Sequence, residues 1–375
     1  RGKAFEREFQ LEDGAEASLE VRTAALECLS DSDGDVGILL DHLKARNKAL
    51  RIAALRGLIA QKHPEAEALV LEKLQGSPTK VREGIEALPS IPSPAILEVV
   101  EKQVDGLFKK LKTSSLSDVN TLVQLLTAVA KSEPSDRAYR IAEQGVCQWG
   151  ALRERLCQES WATVRKIDSL EKVLFPFFVR AKKREIVDPL ITRFLVFESE
   201  YLALATIFSI EEPSVLLRKL KPKFKDPEFP EFLDFLFEEP PSGEFHFPES
   251  KEWSMDWLNL AIKHRPYMTN AMIYLFDWSP ESIARALLKG KSDFYCDEAL
   301  LCLASSPSEF AAIEKKVDMR NFRHRYDDRP LLDLFEALKK KDKGAAMVAA
   351  SEIRAFLRSS RLGEILETSI KDHFS

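Results

Sequence analysis

A nine-residue pattern recurs near the start of this 375-residue chain and limits the folds that the chain can adopt. The segment at 21–29, Val-Arg-Thr-Ala-Ala-Leu-Glu-Cys-Leu, aligns with Leu-Arg-Ile-Ala-Ala-Leu-Arg-Gly-Leu at 50–58, a shift of 29 residues. A looser copy, Val-Arg-Glu-Gly-Ile-Glu-Ala-Leu, follows 31 residues later at 81–88. A distant fourth copy at 295–303 repeats the Ala-Leu-x-Cys-Leu ending. Such periods are typical of repeat architectures.

Positions 1, 5, 8 and 9 of each copy fall on one face of a helix. In the second copy they are Leu50, Ala54, Gly57 and Leu58, and the small residues at 5 and 8 let a neighbouring helix approach closely. A second amphipathic stretch follows each copy, so each period predicts two helices. One such pair cannot bury its apolar face alone. The pattern therefore predicts an all-α protein, an α-solenoid of stacked antiparallel helix pairs.

These residues resemble HEAT repeats, and the short period is similar to the phycobilisome-lyase type of HEAT-like repeat. The family's second-helix pattern, Val-Arg-x-x-Ala-Ala-x-Ala-Leu, is matched at Val21, Arg22, Ala25 and Leu29, and again at Arg51, Ala54 and Leu58. The resemblance covers residues 15–100, and the fourth copy has Cys296 in place of the Arg. It implies a fold more than an activity, because solenoids serve many functions. The alternative is an ordinary helical bundle.

The chain is predicted to contain three parts. Residues 1–220 form a HEAT-like domain, 221–252 a Pro/Phe-rich acidic junction, and 253–375 a C-terminal helical domain of degenerate repeats. Helical segments are predicted at 96–111, 118–130, 136–147, 152–164, 187–197 and 200–210. Residues 221–252 hold six prolines, and 226–260 carry ten acids and one base. Seven phenylalanines interrupt this region, at positions 224, 229, 232, 235, 237, 245 and 247. We interpret it as an ordered insertion whose acidic surface either binds a basic partner or covers a phenylalanine core.

Several classes of function are disfavoured by the sequence. The longest apolar run, 173–179, has seven residues and contains Pro176, whereas a membrane helix needs about 20. Five cysteines are spread without a C-x-x-C pair, which favours reduced thiols and a cytoplasmic protein. Six scattered histidines and the lack of catalytic signatures predict no metal, no cofactor and no catalytic residue. The net charge of -5 disfavours general polyanion binding, although the acidic block masks a mildly basic remainder.

Two sets of arginines are the candidate binding residues. The position-2 residues Arg22, Arg51 and Arg82, with Arg56 and Glu27, lie on the repeat helices, where the resemblance implies that the position-2 Arg also supports packing between repeats. The second set alternates with aromatic residues, a pattern that suits nucleic acid or phosphorylated partners; it consists of Arg320, Arg323, Arg325 and Arg329. Asp327 and Asp328 lie within it, so it equally predicts a solvated loop with internal salt bridges.

The leading functional prediction is a non-enzymatic scaffold or adaptor that binds a protein or peptide partner on the concave solenoid face. The first alternative is a HEAT-like protein that binds nucleic acid. It requires the basic clusters at 182–184, 218–225 and 320–329 to converge in one groove. The second alternative, a chromophore-lyase-like role, is implied only by the repeat subtype.

Overall fold

The computed structural model describes residues 18–29, 36–157, 161–226, 228–239, 241, 243–249, 252–264, 271, 274–275, 329–356 and 360–375. Within these ranges every regular element is a helix, which confirms the all-α class. The chain divides into two compact units. The first comprises Arg1–Pro189 with Leu195–Ser199, and the second Leu190–Phe194 with Glu200–Ser375. The domain boundaries drawn from the sequence stay predictions.

The described part of the first unit contains ten α-helices. They are α1 (Leu19–Cys28), α2 (Val36–His42), α3 (Lys48–Ala60), α4 (Ala66–Leu74), α5 (Pro78–Glu86), α6 (Pro94–Lys109), α7 (Leu116–Lys131), α8 (Asp136–Cys147), α9 (Trp149–Cys157) and α10 (Trp161–Ala181). The three adjacent copies of the repeat lie on α1, α3 and α5, with α2 and α4 between them. The prediction of two helices per period is therefore confirmed for this part of the chain.

Four of the predicted helical segments differ from the structure in their bounds. The segment predicted at 96–111 is α6, which ends at Lys109, and the one predicted at 187–197 is an α-helix only to Arg193 and a 3-10 helix at Phe194–Val196. The segment predicted at 152–164 falls on α9 and α10, and residues 158–160 lie outside the described residues. The helix predicted from 118 starts earlier, since Ser115 rather than Ser117 caps α7. The Ser115 hydroxyl accepts a hydrogen bond from the Asp118 backbone N–H, and the Asp118 carboxylate accepts one from the Ser115 backbone N–H. This reciprocal capping box stabilises the extra turn.

Helices of the first unit pack in two series. In the first series, α1 contacts α3, α3 contacts α5, α5 contacts α7, and α7 contacts α10. In the second, α4 contacts α6 and α6 contacts α8. Consecutive helices join the two series, as α2 with α3, α4 with α5, and α6 with α7. Each repeat helix therefore contacts both its chain neighbour and the equivalent helix of the next repeat.

Gly57, at position 8 of the second copy, allows the closest of these approaches. A Cβ atom there would lie 2.9 Å from Leu39 Cδ2 and 3.3 Å from the Leu26 carbonyl oxygen. Leu26, Leu39 and Leu58 belong to one buried apolar cluster formed by α1, α2 and α3. The predicted role of a small residue at position 8 is confirmed for this copy, because a methyl group would push α1 and α2 away from α3.

The described part of the second unit is also helical. Its elements are α12 (Glu200–Ile210), α13 (Pro213–Leu220), α14 (Phe229–Glu238), α15 (Met255–His264), α16 (Arg329–Lys340), α17 (Lys343–Phe356) and α18 (Ser360–His373); the short α11 (Val187–Arg193) contains the division between the units. No helix within the described ranges is long and apolar enough to cross a membrane.

The proline-rich segment contains α14, because Pro230 lies in the first turn, where no backbone N–H is needed. Phe224, Phe229 and Phe237 are buried, and the Trp257 indole nitrogen donates a hydrogen bond of 2.9 Å to the Pro213 carbonyl oxygen. Phenylalanines of this segment therefore form a core, as expected from the interpretation that the acidic surface covers packed phenylalanines. Phe235 is the exception, with 47% of its surface exposed.

Candidate functional site

Arg51, the position-2 arginine of the second copy, is engaged in contacts within the protein. Its Nη1 donates hydrogen bonds to the carbonyl oxygens of Ala45, at 2.7 Å, and Arg46, at 2.8 Å. Its Nε and Nη2 donate to the two carboxylate oxygens of Glu83, on the third copy. Lys73 on α4 donates to the same carboxylate, with Nζ 2.6 Å from Oε2. Three helices, α3, α4 and α5, are thus joined by one buried carboxylate.

The charge of Glu83 is stabilised by these two cations. Only 4% of its side chain is exposed. The hydrogen bond from Arg51 outweighs the cost of burial and, with Lys73, lowers the pKa of Glu83 from 4.5 to about 2. A buried carboxylate that keeps its charge requires such partners. Arg51 and Lys73 therefore support the packing of adjacent repeats, the role that the family resemblance implies for position 2.

Arg56 links all three copies of the repeat. Its Nη1 lies 3.0 Å from Glu27 Oε1 on the first copy. Its Nε and Nη2 donate to the Glu86 carbonyl oxygen, on the third copy, at 3.1 and 2.9 Å. The planar guanidinium can make these contacts at once because its N–H groups point in several directions.

The other predicted arginines are separated. Arg22 is half-buried on α1, and Arg82 on α5 donates from Nη2 to the Ser117 hydroxyl at 2.8 Å. Arg329 begins α16 in the second unit, with Nε 4.0 Å from Asp333 Oδ2. Arg320, Arg323 and Arg325 lie outside the described residues. The convergence of the basic clusters stays a prediction.

Two adjoining cavities lie between α5 and α7, and we name them together the α5–α7 groove. The first has a volume of about 430 Å³ and is lined by Arg56, Ile85, Glu86, Leu88, Pro89, Ser90, Gln124, Thr127, Ala128, Lys131 and Ser132. The second has a volume of about 350 Å³ and is lined by Arg82, Asn120, Val123, Gln124, Thr127, Lys166 and Ser169. Gln124 and Thr127 line both, so the two cavities are neighbours along α7.

The groove runs along the helix axes, because α5 and α7 are parallel. At one end, Arg82 near the start of α5 bonds to Ser117 at the start of α7. At the other end, the Ser90 carbonyl oxygen, after α5, accepts a hydrogen bond of 2.7 Å from the Glu133 backbone N–H, after α7. The two helices thus meet start to start and end to end.

The lining of the groove is cationic. It contains Arg56, Arg82, Lys131 and Lys166 but a single carboxylate, Glu86. Two of these charges are neutralised from outside the groove, since Glu27 pairs with Arg56 and Lys48 lies 2.6 Å from Glu86.

Three of the lining cations keep their charge uncompensated. Arg82 and Lys166 bond to neutral oxygens of Ser117 and Asn120, the latter at 2.7 Å. Lys131 is exposed and forms no ion pair within the described ranges. The groove therefore presents ammonium, guanidinium, amide and hydroxyl donors, which together can bind an anionic group.

Sequence reasoning missed Lys131, Lys166, Gln124 and Asn120. A signal for part of the set was present, since Asn120, Gln124, Thr127 and Lys131 recur every three or four residues along α7. That spacing gives a helix one polar stripe. Lys166 carries no such signal, because its contact with Asn120 joins residues 46 positions apart.

Comparisons with protein-family models, curated proteins and solved structures found no match for this chain.

Proposed function

We propose that this protein is a non-enzymatic interaction scaffold built on a HEAT-like α-solenoid, and that the α5–α7 groove receives an extended segment of a protein partner. The solenoid is supported by the two series of helices, in which each repeat helix contacts its equivalent in the next repeat. Contacts of Arg51 and Arg56 with neighbouring copies support it further. The first series, which carries the repeat motif, is on this proposal the concave face.

The observation that carries the proposed function is the groove itself. Its two cavities follow one another along α7 and are lined by polar groups that are available to a ligand. The helices beneath it are fixed, because Glu83 ties α5 to α3 and α4. Binding to a preformed groove avoids the entropy cost of ordering the receptor, which favours recognition of a flexible segment.

Site-specific cross-linking tests this function. A photoreactive residue is placed at Gln124, in the middle of the groove, and in a matched control at Lys102, on α6, where 73% of the side chain is exposed. We expect a partner protein to be cross-linked from 124 and not from 102. A peptide with the sequence of the cross-linked segment should then bind the purified chain.

A second variant decides whether the groove is responsible. Gln124→Trp fills the point shared by the two cavities, whereas Gln124→Ala leaves it open. We expect the Trp variant to lose at least tenfold in affinity for the peptide and the Ala variant to lose less than threefold. Equal cross-linking from both positions, or a Trp variant that binds normally, contradicts the proposal.

A further inference from the structure

We infer that the α5–α7 groove selects an acidic partner segment whose two carboxylate side chains lie four residues apart, on the same side of an extended chain. This inference rests on the proposed function, because it names the chemistry of the segment that the groove receives. It is argued from the position of the uncompensated cations, from the spacing between them, and from the side chains that the lining lacks.

The first carboxylate position is the cavity at the ends of α5 and α7. Lys131 supplies the charge, and the Gln124 amide and the Ser90 hydroxyl line the same cavity. Arg56 forms its wall but is already held by Glu27 and the Glu86 carbonyl oxygen. A carboxylate accepts hydrogen bonds only, so an ammonium, an amide and a hydroxyl suit it as donors.

The second carboxylate position is the cavity at the starts of the same helices. Arg82 and Lys166 line it together, and no Asp or Glu is among its lining residues. Each cation bonds to a neutral oxygen, of Ser117 or Asn120, so an incoming carboxylate would be its first anionic partner. A guanidinium beside an ammonium provides the strongest donor pair in the groove.

The length of α7 sets the spacing between the two positions. Asn120, which holds Lys166, precedes Lys131 by 11 residues on this helix. At 1.5 Å per residue, the two levels are about 16 Å apart along the helix axis. An extended chain advances about 3.3 Å per residue, and its side chains alternate between two sides. Residues four apart therefore lie on one side at about 13 Å, and the long Glu side chains cover the remaining distance.

The lining favours an acidic protein segment over nucleic acid. None of the residues that line either cavity is aromatic, whereas grooves for single-stranded nucleic acid use aromatic rings as stacking platforms. Only three of the lining cations are uncompensated. A duplex binder neutralises more phosphates than three cations can, about six to ten in a typical case.

Defined peptides test the inference on the full chain. The probe is a fluorescent ten-residue peptide of Gly, Ser and Ala with Glu at positions 3 and 7, which share one side of an extended chain. One control has Gln at both positions, and a second has Glu at positions 3 and 5. We expect the probe to bind at least tenfold more tightly than the Gln peptide and at least threefold more tightly than the closely spaced one, in anisotropy titrations at low salt.

Charge variants locate the binding. Lys131→Glu and Lys166→Glu should each lower the affinity for the probe at least tenfold. Lys102→Glu on α6 changes the net charge equally and should lower this affinity less than twofold. Lys131→Met and Lys166→Met remove the positive charge without introducing a negative one, and each should lower the affinity for the probe at least threefold. Circular dichroism of the Met variants confirms that the helices are intact.

Three results overturn the inference: a Gln peptide that binds as tightly as the probe, charge variants that act no more than Lys102→Glu, or a 20-base-pair DNA duplex that binds more tightly than the probe. The proposed function fails differently. If the segment cross-linked from Gln124 still loses affinity in Gln124→Trp but is indifferent to the charge variants, the scaffold stands and the acidic specificity falls.

Discussion

Two buried glutamates in the first unit show opposite behaviour. Glu83, in the repeat region of α1 to α5, has Arg51 and Lys73 as partners, and its pKa is lowered from 4.5 to about 2. Glu171, on α10 beyond the repeats, is completely buried and receives its hydrogen bonds from backbone N–H groups rather than from a Lys or Arg side chain. Its oxygens accept hydrogen bonds from the backbone N–H groups of Glu198, at 3.0 Å, and Ser199, at 2.8 Å. Burial outweighs these bonds and raises the pKa of Glu171 to about 7.

The difference teaches that partners, rather than burial, decide whether a core carboxylate stays charged. It also separates two ways of joining helices. In the repeat region, charged side chains connect one copy to the next. Beyond it, the neutral Glu171 side chain binds the backbone of the segment Leu195–Ser199, which the contacts assign to the first unit. An Arg153–Glu198 ion pair of 2.8 Å also joins this segment to α9. Each of the following predictions tests one side of this contrast.

The largest effect is expected from Glu83→Ala. The substitution leaves the partly buried Arg51 and Lys73 without their anion, which costs about 3 kcal/mol in the free energy of unfolding, the lower end of the range for a broken buried pair. Urea unfolding followed by circular dichroism measures it. The matched control is Glu72→Ala on α4, whose side chain is 64% exposed and pairs with Lys80 at the surface. A loss no larger than that of the control would show that the ion triad does not hold the repeats together.

The second effect is a pH dependence of opposite sign for the two glutamates. Glu171 binds its proton more tightly when folded, so its contribution is complete below pH 4.5 and is lost as the pH rises to about 7. A change from 4.5 to about 7 corresponds to about 3 kcal/mol. The contribution of Glu83 is complete above pH 4.5 and is lost as the pH falls towards 2.

Glu171→Gln isolates the first of these contributions. Hydrogen exchange at the Glu198 and Ser199 amides should lose protection between pH 5 and 7 in the parent chain, after correction for intrinsic exchange, and stay flat in the variant. Protection that stays flat between pH 5 and 7 in the parent chain would mean that Glu171 stays ionised in the core.

A third prediction compares a glycine from each region. Gly57→Ala should destabilise the protein by about 1–3 kcal/mol, because the new Cβ meets Leu39 and the Leu26 carbonyl oxygen. Gly150→Ala, on α9, has nothing within 4 Å of the added Cβ and should stabilise by about 0.5–1 kcal/mol. Thermal unfolding of both variants measures the difference. If both substitutions change the stability in the same direction, position 8 of the repeat has no special requirement for a small residue.

The smallest effect is expected at Arg56. Arg56→Met removes its hydrogen bonds to the Glu86 carbonyl oxygen and its exposed pair with Glu27, a loss of about 1 kcal/mol. A double-mutant cycle with Glu27→Gln should attribute only about 0.2–1 kcal/mol to the ion pair. A coupling near zero would mean that the carbonyl contact alone joins the second copy to its neighbour.

Much of the helical framework follows from the sequence. The repeat spacing places α1, α3 and α5, and the predicted helices at Asp136–Cys147 and Glu200–Ile210 match the structure. These helices begin near clear polar signals, such as Ser135, whose hydroxyl caps α8. Position 8 of the repeat was also predictable, because a small residue on an apolar face has a packing reason.

The contacts between distant segments were harder to predict, and the reasons are physical. Glu83 follows an Arg on a charged helix and has the sequence pattern of a solvated residue, yet α3 and α4 enclose it. Lys166 joins the groove only because α10 packs beside α7. Both depend on which helix lies next to which, and local periodicity carries no such information.

The contacts of Arg56 also restrict how a chain of this kind can grow or shrink by gene duplication. Its side chain donates hydrogen bonds to a carboxylate on the preceding copy and to a backbone carbonyl oxygen on the following one. A duplicated helix pair inserted after α4 would place a new helix beside α3. The contacts of Arg56 would persist only if that helix ended in the same turn as α5 and the residue at position 7 were retained. We therefore expect that copies can be added in whole periods of the motif. A deletion of half a period would place Arg56 against the other of the two series of helices.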